Sequence, residues 1–174
     1  MLAGCTASGK SEAAMLFAAA GPGVEIVNAD SRQFYRGMDI GTAKPSPRDR
    51  VLVPHHLLDV ADPDTLLSAG WFAGAAMEAV EDVSSRGGLP VTVGGSVLYI
   101  MAMAGMMDPL PPANPALRKV LETLEEESPG FLGRMLAALD PGTRVDAADR
   151  VRQIRALEIT LESGERASNL RRGG

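Results

Sequence analysis

The chain has 174 residues, of which 45% are hydrophobic and 22% charged, with a formal net charge of -5. That length supports one core, or one core plus a small appended module. No apolar run reaches the roughly 18–20 residues that span a bilayer and no basic-then-apolar segment opens the sequence, so a cytoplasmic protein is expected.

In chain order, Met1 to Ala3 supplies about half a strand before a glycine-rich turn. A small apolar helix over roughly Gly9 to Ala20 follows, ended by Gly21-Pro22-Gly23. Val24 to Val27 reads as a second strand. The polar stretch Asn28 to Pro54 is too long for an idle connection and points to function. Leu57 to Val60 is a strand candidate, with His55-His56 at its entrance. A helix over roughly Ser68 to Ser85 breaks at Arg86-Gly87-Gly88, and Leu89 to Val93 is a buried parallel strand ending in Gly94-Gly95. A helix over Ser96 to Ala104 leaves that strand. Strand alternating with helix is the pattern of a parallel α/β sheet.

At Asp108-Pro109-Leu110-Pro111-Pro112 the character changes, and helices are predicted over Pro115–Glu127, Pro129–Leu139 and Thr143–Glu162. Two domains are expected: a P-loop α/β core over 1–109 and a helical insertion over 110–174. The basic character lies toward the C-terminus. Residues 1–143 carry 10 Lys+Arg against 17 Asp+Glu, whereas 144–174 carry 7 arginines against 5 acids. Arginine is the better residue for bidentate phosphate contacts, although a solvated helix face has the same composition.

The strongest signal is Gly4-Cys5-Thr6-Ala7-Ser8-Gly9-Lys10-Ser11, the full Walker A spacing between a strand and a helix. Glycines let successive N–H groups turn inward and cradle phosphate oxygens, Lys10 adds a point charge, and the Ser11 hydroxyl is placed for Mg2+. The motif alone points toward ATP. Next, Asn28-Ala29-Asp30-Ser31-Arg32-Gln33 lies past a strand's carboxyl end, where ligands of open α/β sheets sit. Asp30 there can bind a metal, act as a general base, or cap a turn. Arg36 to Pro45 combines glycines with two cations, as in a loop that closes over an anion or equally in a plain flexible loop. Ser96 can either face the crevice or cap its helix. Arg152 and Arg155 lie three apart on one predicted helix. One cysteine, Cys5, excludes an internal disulfide and reads as packing; two histidines do not furnish a structural zinc site.

At these residues the sequence resembles the tRNA dimethylallyltransferase, or tRNA isopentenyltransferase, family. The stretches GCTASGKS, NADSRQFYRGMDIGTAKP, VPHHLLDVADP, VGGSVLYI and IRALE occur in family order from Met1 to about Gly164. The resemblance implies a P-loop NTPase-like sheet with a helical insertion and transfer of a dimethylallyl group from dimethylallyl diphosphate. The acceptor would be the exocyclic amine of the tRNA adenosine 3'-adjacent to the anticodon, by a monomer that needs Mg2+ but no membrane. It implies that Gly4 to Ser11 hold the diphosphate, that Asp30 is the base, and that Lys10 and Ser96 share in catalysis. It places tRNA contacts at Asp30, Ser31, Arg32, Gln33, Ser96, Arg118, Val151, Arg152, Gln153, Ile154 and Arg155. Cys5, Ser96 and Ala148 stand where family members usually have proline, threonine and asparagine. Family members continue well past Gly174, which carries the expectation of a site that is incomplete within this chain, as does the short first strand. Prenylation of free adenylate, a P-loop NTPase or small-molecule kinase, and an inactive phosphate-binding fragment are the alternatives.

Overall fold

The computed structural model describes residues 1–107 and 110–170 and divides into two compact units, Met1–Met106 and Met107–Gly174. The expected boundary segment begins at Asp108-Pro109, which lie outside the described residues.

In the first unit the elements run β1 (Leu2–Ala3), α1 (Lys10–Ala20), β2 (Val24–Asn28), α2 (Pro47–Leu52), β3 (His55–His56), α3 (Ala69–Ser85), β4 (Leu89–Gly94) and α4 (Val97–Met103). The four strands form one sheet in the order β1-β4-β2-β3, with every neighbouring pair parallel. Each residue of β2 is buried, as a central parallel strand covered on both faces requires. Val24 and Ile26 pack with Val91, Val93 and Ala14 of α1. Val27 and Ala29 pack instead with Phe34, with Phe72 and Ala76 of α3, and with Tyr99 of α4. Phe34, Phe72 and Tyr99 form a nest with ring centroids 5.0–5.6 Å apart, a geometry that adds to simple area burial.

Two features of this unit differ from expectation. The strand lies at His55–His56, and Leu57 and Asp59 instead adopt left-handed φ of 60° and 55°, which ends any run of pleated backbone. The segment 28–54 also contains α2, a short helix with a full capping box. The Ser46 side chain accepts from the Asp49 N–H, the Asp49 carboxylate accepts from the Ser46 N–H, and proline opens the first turn.

The second unit holds α5 (Pro115–Glu127), α6 (Phe131–Leu139), α7 (Arg150–Ser163) and α8 (Ala167–Leu170). Leu121, Leu132, Leu136, Leu157 and Ile159 form its core. Asn114 caps α5 by accepting the Leu117 N–H, as expected ahead of a proline start. Helix α7 begins seven residues later than its sequence suggests. The Asp146 carboxylate accepts the Ala148 N–H in a local turn, and Asp149 caps the helix by accepting the Arg152 N–H, so 143–149 stays irregular. Likewise α6 starts at Phe131, because Gly130 takes a left-handed φ of 82° at its N-cap. Among the described residues, no helix is long and apolar enough to cross a membrane.

Candidate active site

A cleft of about 500 Å³ opens in the first unit at the carboxyl ends of the strands. Its rim includes Thr6 to Glu12, Asp30, Gln33, Thr42 to Pro45, Asp49 and His55. The glycine-rich loop enters this cleft through left-handed residues, Ala7 at φ 63° and Gly9 at φ 79°. Gly9 gives α1 no side-chain cap, so first-turn N–H groups are left for a ligand. Lys10 Nζ donates to the Cys5 carbonyl at 3.0 Å and folds across the loop. Backbone N–H groups, a helix N-terminus and one ammonium in a single concavity form an anion site by their chemistry. The Cys5 side chain is exposed, which corrects its reading as packing: this loop residue is outside every core cluster.

Asp30 is held over the same cleft. Its N–H donates to Asn28 Oδ1 at 3.1 Å, and its own Oδ1 accepts the Arg32 N–H at 3.0 Å. Oδ2 has no protein partner among the described residues, and Asp30 lines the cleft, so the residue brings a carboxylate oxygen with unused lone pairs to that site. The turn-capping and the chemical readings of Asp30 are therefore both available to one side chain. Ser96 occupies the N-cap position of α4 without capping it. Its Oγ accepts the Ser31 N–H at 3.1 Å and donates to Ser31 Oγ at 3.3 Å, tying the two strand ends together. Gly94 permits this approach, since a Cβ there would lie 2.2 Å from the Ala29 carbonyl oxygen.

The loop at 36–45 forms a wall of the cleft, but its cations do not close over an anion. The Lys44 side chain is 1% exposed, and its Nζ donates to the Tyr35 carbonyl, Asp39 Oδ1 and Asp59 Oδ1 at 2.7–2.8 Å. Arg36 pairs with Asp62 at 3.1 Å. Gln33 is buried, and its amide donates to the Thr42 and Ala43 carbonyls, fixing that wall. His55 Nδ1 lies 2.7 Å from the Val53 carbonyl, and burial pushes its pKa down, so the ring that lines the cleft is neutral near pH 7. Strand alternation turns the next residue away: His56 Nε2 meets Glu25 at 2.6 Å. Neither Asp49 nor His55 stood out as a cleft residue from sequence, because α2 and β3 were not legible there.

In the helical unit, the expected tRNA contacts separate into two groups. Val151 and Arg152 are exposed, and Arg152 pairs at 3.2 Å with Asp149. Gln153 and Ile154 face the interior: the Gln153 amide donates to the Asp146 and Ala147 carbonyls, and Ile154 belongs to the core. Arg118 and Arg155 both hold the buried Glu158 carboxylate. These four side chains are occupied by their own unit, the two arginines because the fully buried Glu158 must be paired.

The sequence model described as IPP transferase matches residues 33–173 of this chain. The chain belongs to the IPP transferase family. Among relatives, the tRNA dimethylallyltransferase of Methylibium petroleiphilum is 46% identical over 99% of this chain and 53% of its own length. That of Thermotoga maritima is 43% identical over 99% and 57%. A eukaryotic dimethylallyltransferase acting on tRNA superposes with a TM-score of 0.77 at 30% identity, over 97% of this chain and 42% of that one. The full-length tRNA isopentenylpyrophosphate transferase of Bacillus halodurans gives a TM-score of 0.59 at 34% identity, over 94% and 55%. The chain thus spans about half the length of the relatives it matches. The family's P-loop NTPase-like fold is the parallel α/β sheet described above.

Proposed function

We propose that this chain carries the diphosphate and base-binding part of an enzyme that transfers a dimethylallyl group from dimethylallyl diphosphate to tRNA. The observation that carries this reading is the sharing of one cleft by an anion-binding loop and a carboxylate with a free oxygen. The acceptor is the exocyclic amine of the adenosine 3'-adjacent to the anticodon, which leaves its stack to reach the cleft. The amine nitrogen bonds to C1 of the dimethylallyl group as the C1–O bond to the diphosphate breaks. Asp30 Oδ2 receives the amine proton. Lys10 and the loop N–H groups from Gly4 to Ser11 stabilise the charge that grows on the leaving diphosphate. Ser96, through Ser31, holds the ends of β2 and β4 together.

Mg2+ fits this arrangement. Among the described residues no three His, Cys, Asp or Glu side chains gather around a metal position. Magnesium, however, takes one or two protein ligands and completes its shell with water and phosphate oxygens. The Ser11 hydroxyl in the first turn of α1 would be such a ligand, and a bound ion would neutralise diphosphate charge. Outside the cleft, Arg32, Val151 and Arg152 are exposed, Arg152 beside its surface partner Asp149, and can meet RNA. The tRNA substrate also supports a cytoplasmic protein, and we take the working form to be a monomer.

The test supplies labelled dimethylallyl diphosphate, Mg2+ and unmodified tRNA to the chain and to Asp30→Ala. Label entering RNA with the parent chain and lost with the variant is the expected result. Hydrolysis of ATP without any transfer of label would overturn the reading in favour of an NTPase.

A further inference from the structure

We infer that Asn28 is the positioning residue of Asp30, a role that rests on the transferase reading for its chemical consequence but not for its geometry. Asn28 ends β2 and is 4% exposed, so its side-chain contacts are sheltered from competing water. Its hydrogen-bonding groups are engaged from both sides of the turn. Oδ1 accepts the Asp30 N–H at 3.1 Å, and Nδ2 donates to the Asp30 carbonyl at 3.3 Å and the Leu57 carbonyl at 3.0 Å. One amide thus holds both main-chain groups of Asp30. The third bond anchors that turn to Leu57, a residue fixed in the left-handed region at φ 60°.

The consequence lies in where the carboxylate can go. With its backbone held and Oδ1 accepting the Arg32 N–H, Asp30 has a restricted set of positions for Oδ2. A base already in place does not need to be ordered when substrate arrives, and misplacement by about 1 Å costs roughly 100-fold in rate. Asn28 itself has no free donor to offer a ligand, so it acts through Asp30. Side chains of other chemistry do not reproduce the set. Aspartate in its place would lose both Nδ2 donors and set a second carboxylate two residues from the first. Serine would keep an acceptor for the Asp30 N–H and lose both donors. Alanine would lose everything.

The experiment compares the full chain with Asn28→Ser and Asn28→Ala by amide hydrogen exchange, inorganic pyrophosphate binding and prenyl transfer. Expected are faster exchange of the Asp30 and Arg32 N–H groups by about tenfold in Asn28→Ala, with Asn28→Ser between. The sheet-bonded Ile26 and Ala29 N–H groups, which donate to Pro54 and Val93, should keep their protection. Pyrophosphate affinity should stay within about twofold, because among the described residues Asn28 makes no hydrogen bond to Lys10 or its loop, while kcat falls about 10- to 100-fold with KM for the diphosphate unchanged. Unchanged exchange at Asp30 and Arg32, or an unchanged kcat in a chain that transfers label, would overturn the inference. So would loss of protection and pyrophosphate binding together, which would make Asn28 a general structural residue. If the parent chain and Asp30→Ala transfer equally little label, the transferase reading falls, and the exchange pattern alone decides the role of Asn28.

Discussion

Arg118 grips Glu158 through two parallel hydrogen bonds, Nε to Oε1 at 3.0 Å and Nη2 to Oε2 at 2.9 Å, around a carboxylate with no solvent exposure. Arg155 and the Asn114 N–H donate to the same carboxylate. Burial alone would favour the neutral acid, but these donors outweigh it and hold the Glu158 carboxyl below its usual range. Glu158→Ala leaves two half-buried guanidinium groups unpaired and should cost about 3–5 kcal/mol. Arg118→Ala should cost less, since Arg155 remains. Urea denaturation of the three proteins measures both, and equal losses would contradict the sharing of Glu158 between the two arginines.

Acid should weaken the first unit through Glu25. Hydrogen bonds from Arg86 and then His56 lower its pKa from 4.5 to about 2. Because the folded state holds this carboxyl ionised to lower pH than the unfolded chain does, its contribution is fully present above about pH 4.5. It is lost as pH falls toward 2. Screening at the half-exposed Arg86 keeps the contribution to about 1–2 kcal/mol. Glu25→Gln should therefore flatten the stability profile between pH 4.5 and 2, read by thermal melting across that range. A profile as steep as the parent's would assign acid sensitivity to other carboxylates.

What the sequence disclosed follows from how local each feature is. The Walker A spacing, the β4 run Leu89–Gly94 and the Asn114-Pro115 helix start are written in consecutive residues, and their boundaries could be read to within a residue or two. Leu57 to Val60 has strand composition, yet left-handed φ at Leu57 and Asp59 is sustained by partners far away, Asn28 on one side and Lys44 and Arg50 on the other. Composition cannot show such a constraint. The arginines of α7 look alike in sequence, but only the position of Glu158 one turn along and the fold of α5 separate Arg155 from exposed Arg152. For the same reason Lys44 reads as a free cation in a flexible loop, although the fold gives it three oxygen partners.

Lys44→Met tests that wall of the cleft. The substitution keeps the buried stem and removes the charge, leaving Asp39 without its partner and Asp59 with Arg50 alone. Both carboxylates retain some solvent, so the loss should be moderate, about 1–3 kcal/mol. Trypsin should then cleave faster at Arg36 and Arg50, the basic sites that bracket the segment. Cleavage at the parent rate with an unchanged melting temperature would show that Lys44 does not hold the loop.

Gly94 and Gly95 are adjacent, yet substituting them should fail in different ways. A Cβ on Gly94 would meet the Ala29 oxygen at 2.2 Å, the Ala29 carbonyl carbon at 2.3 Å and the Ala29 Cβ at 2.7 Å. Those are atoms of the segment whose N–H donates to Val93 at 2.8 Å, so neither backbone can yield without breaking the β2–β4 join. Gly94→Ala should cost upward of about 2 kcal/mol and displace Asp30, which follows Ala29 directly. On Gly95 the Cβ would meet the Gly4 oxygen at 2.9 Å and next the end of the Lys10 side chain, at 3.7 Å and 3.9 Å. The clash there falls on one backbone atom at the start of the glycine-rich loop, which must shift to make room, rather than on three atoms of the β2 end. Gly95→Ala should therefore cost less stability than Gly94→Ala but bind pyrophosphate more weakly than the parent, as the loop shifts its N–H groups and Lys10. Melting curves and calorimetric titration with pyrophosphate separate the two, and a Gly95→Ala protein less stable than Gly94→Ala would reverse the assignment of which glycine carries the strand contact.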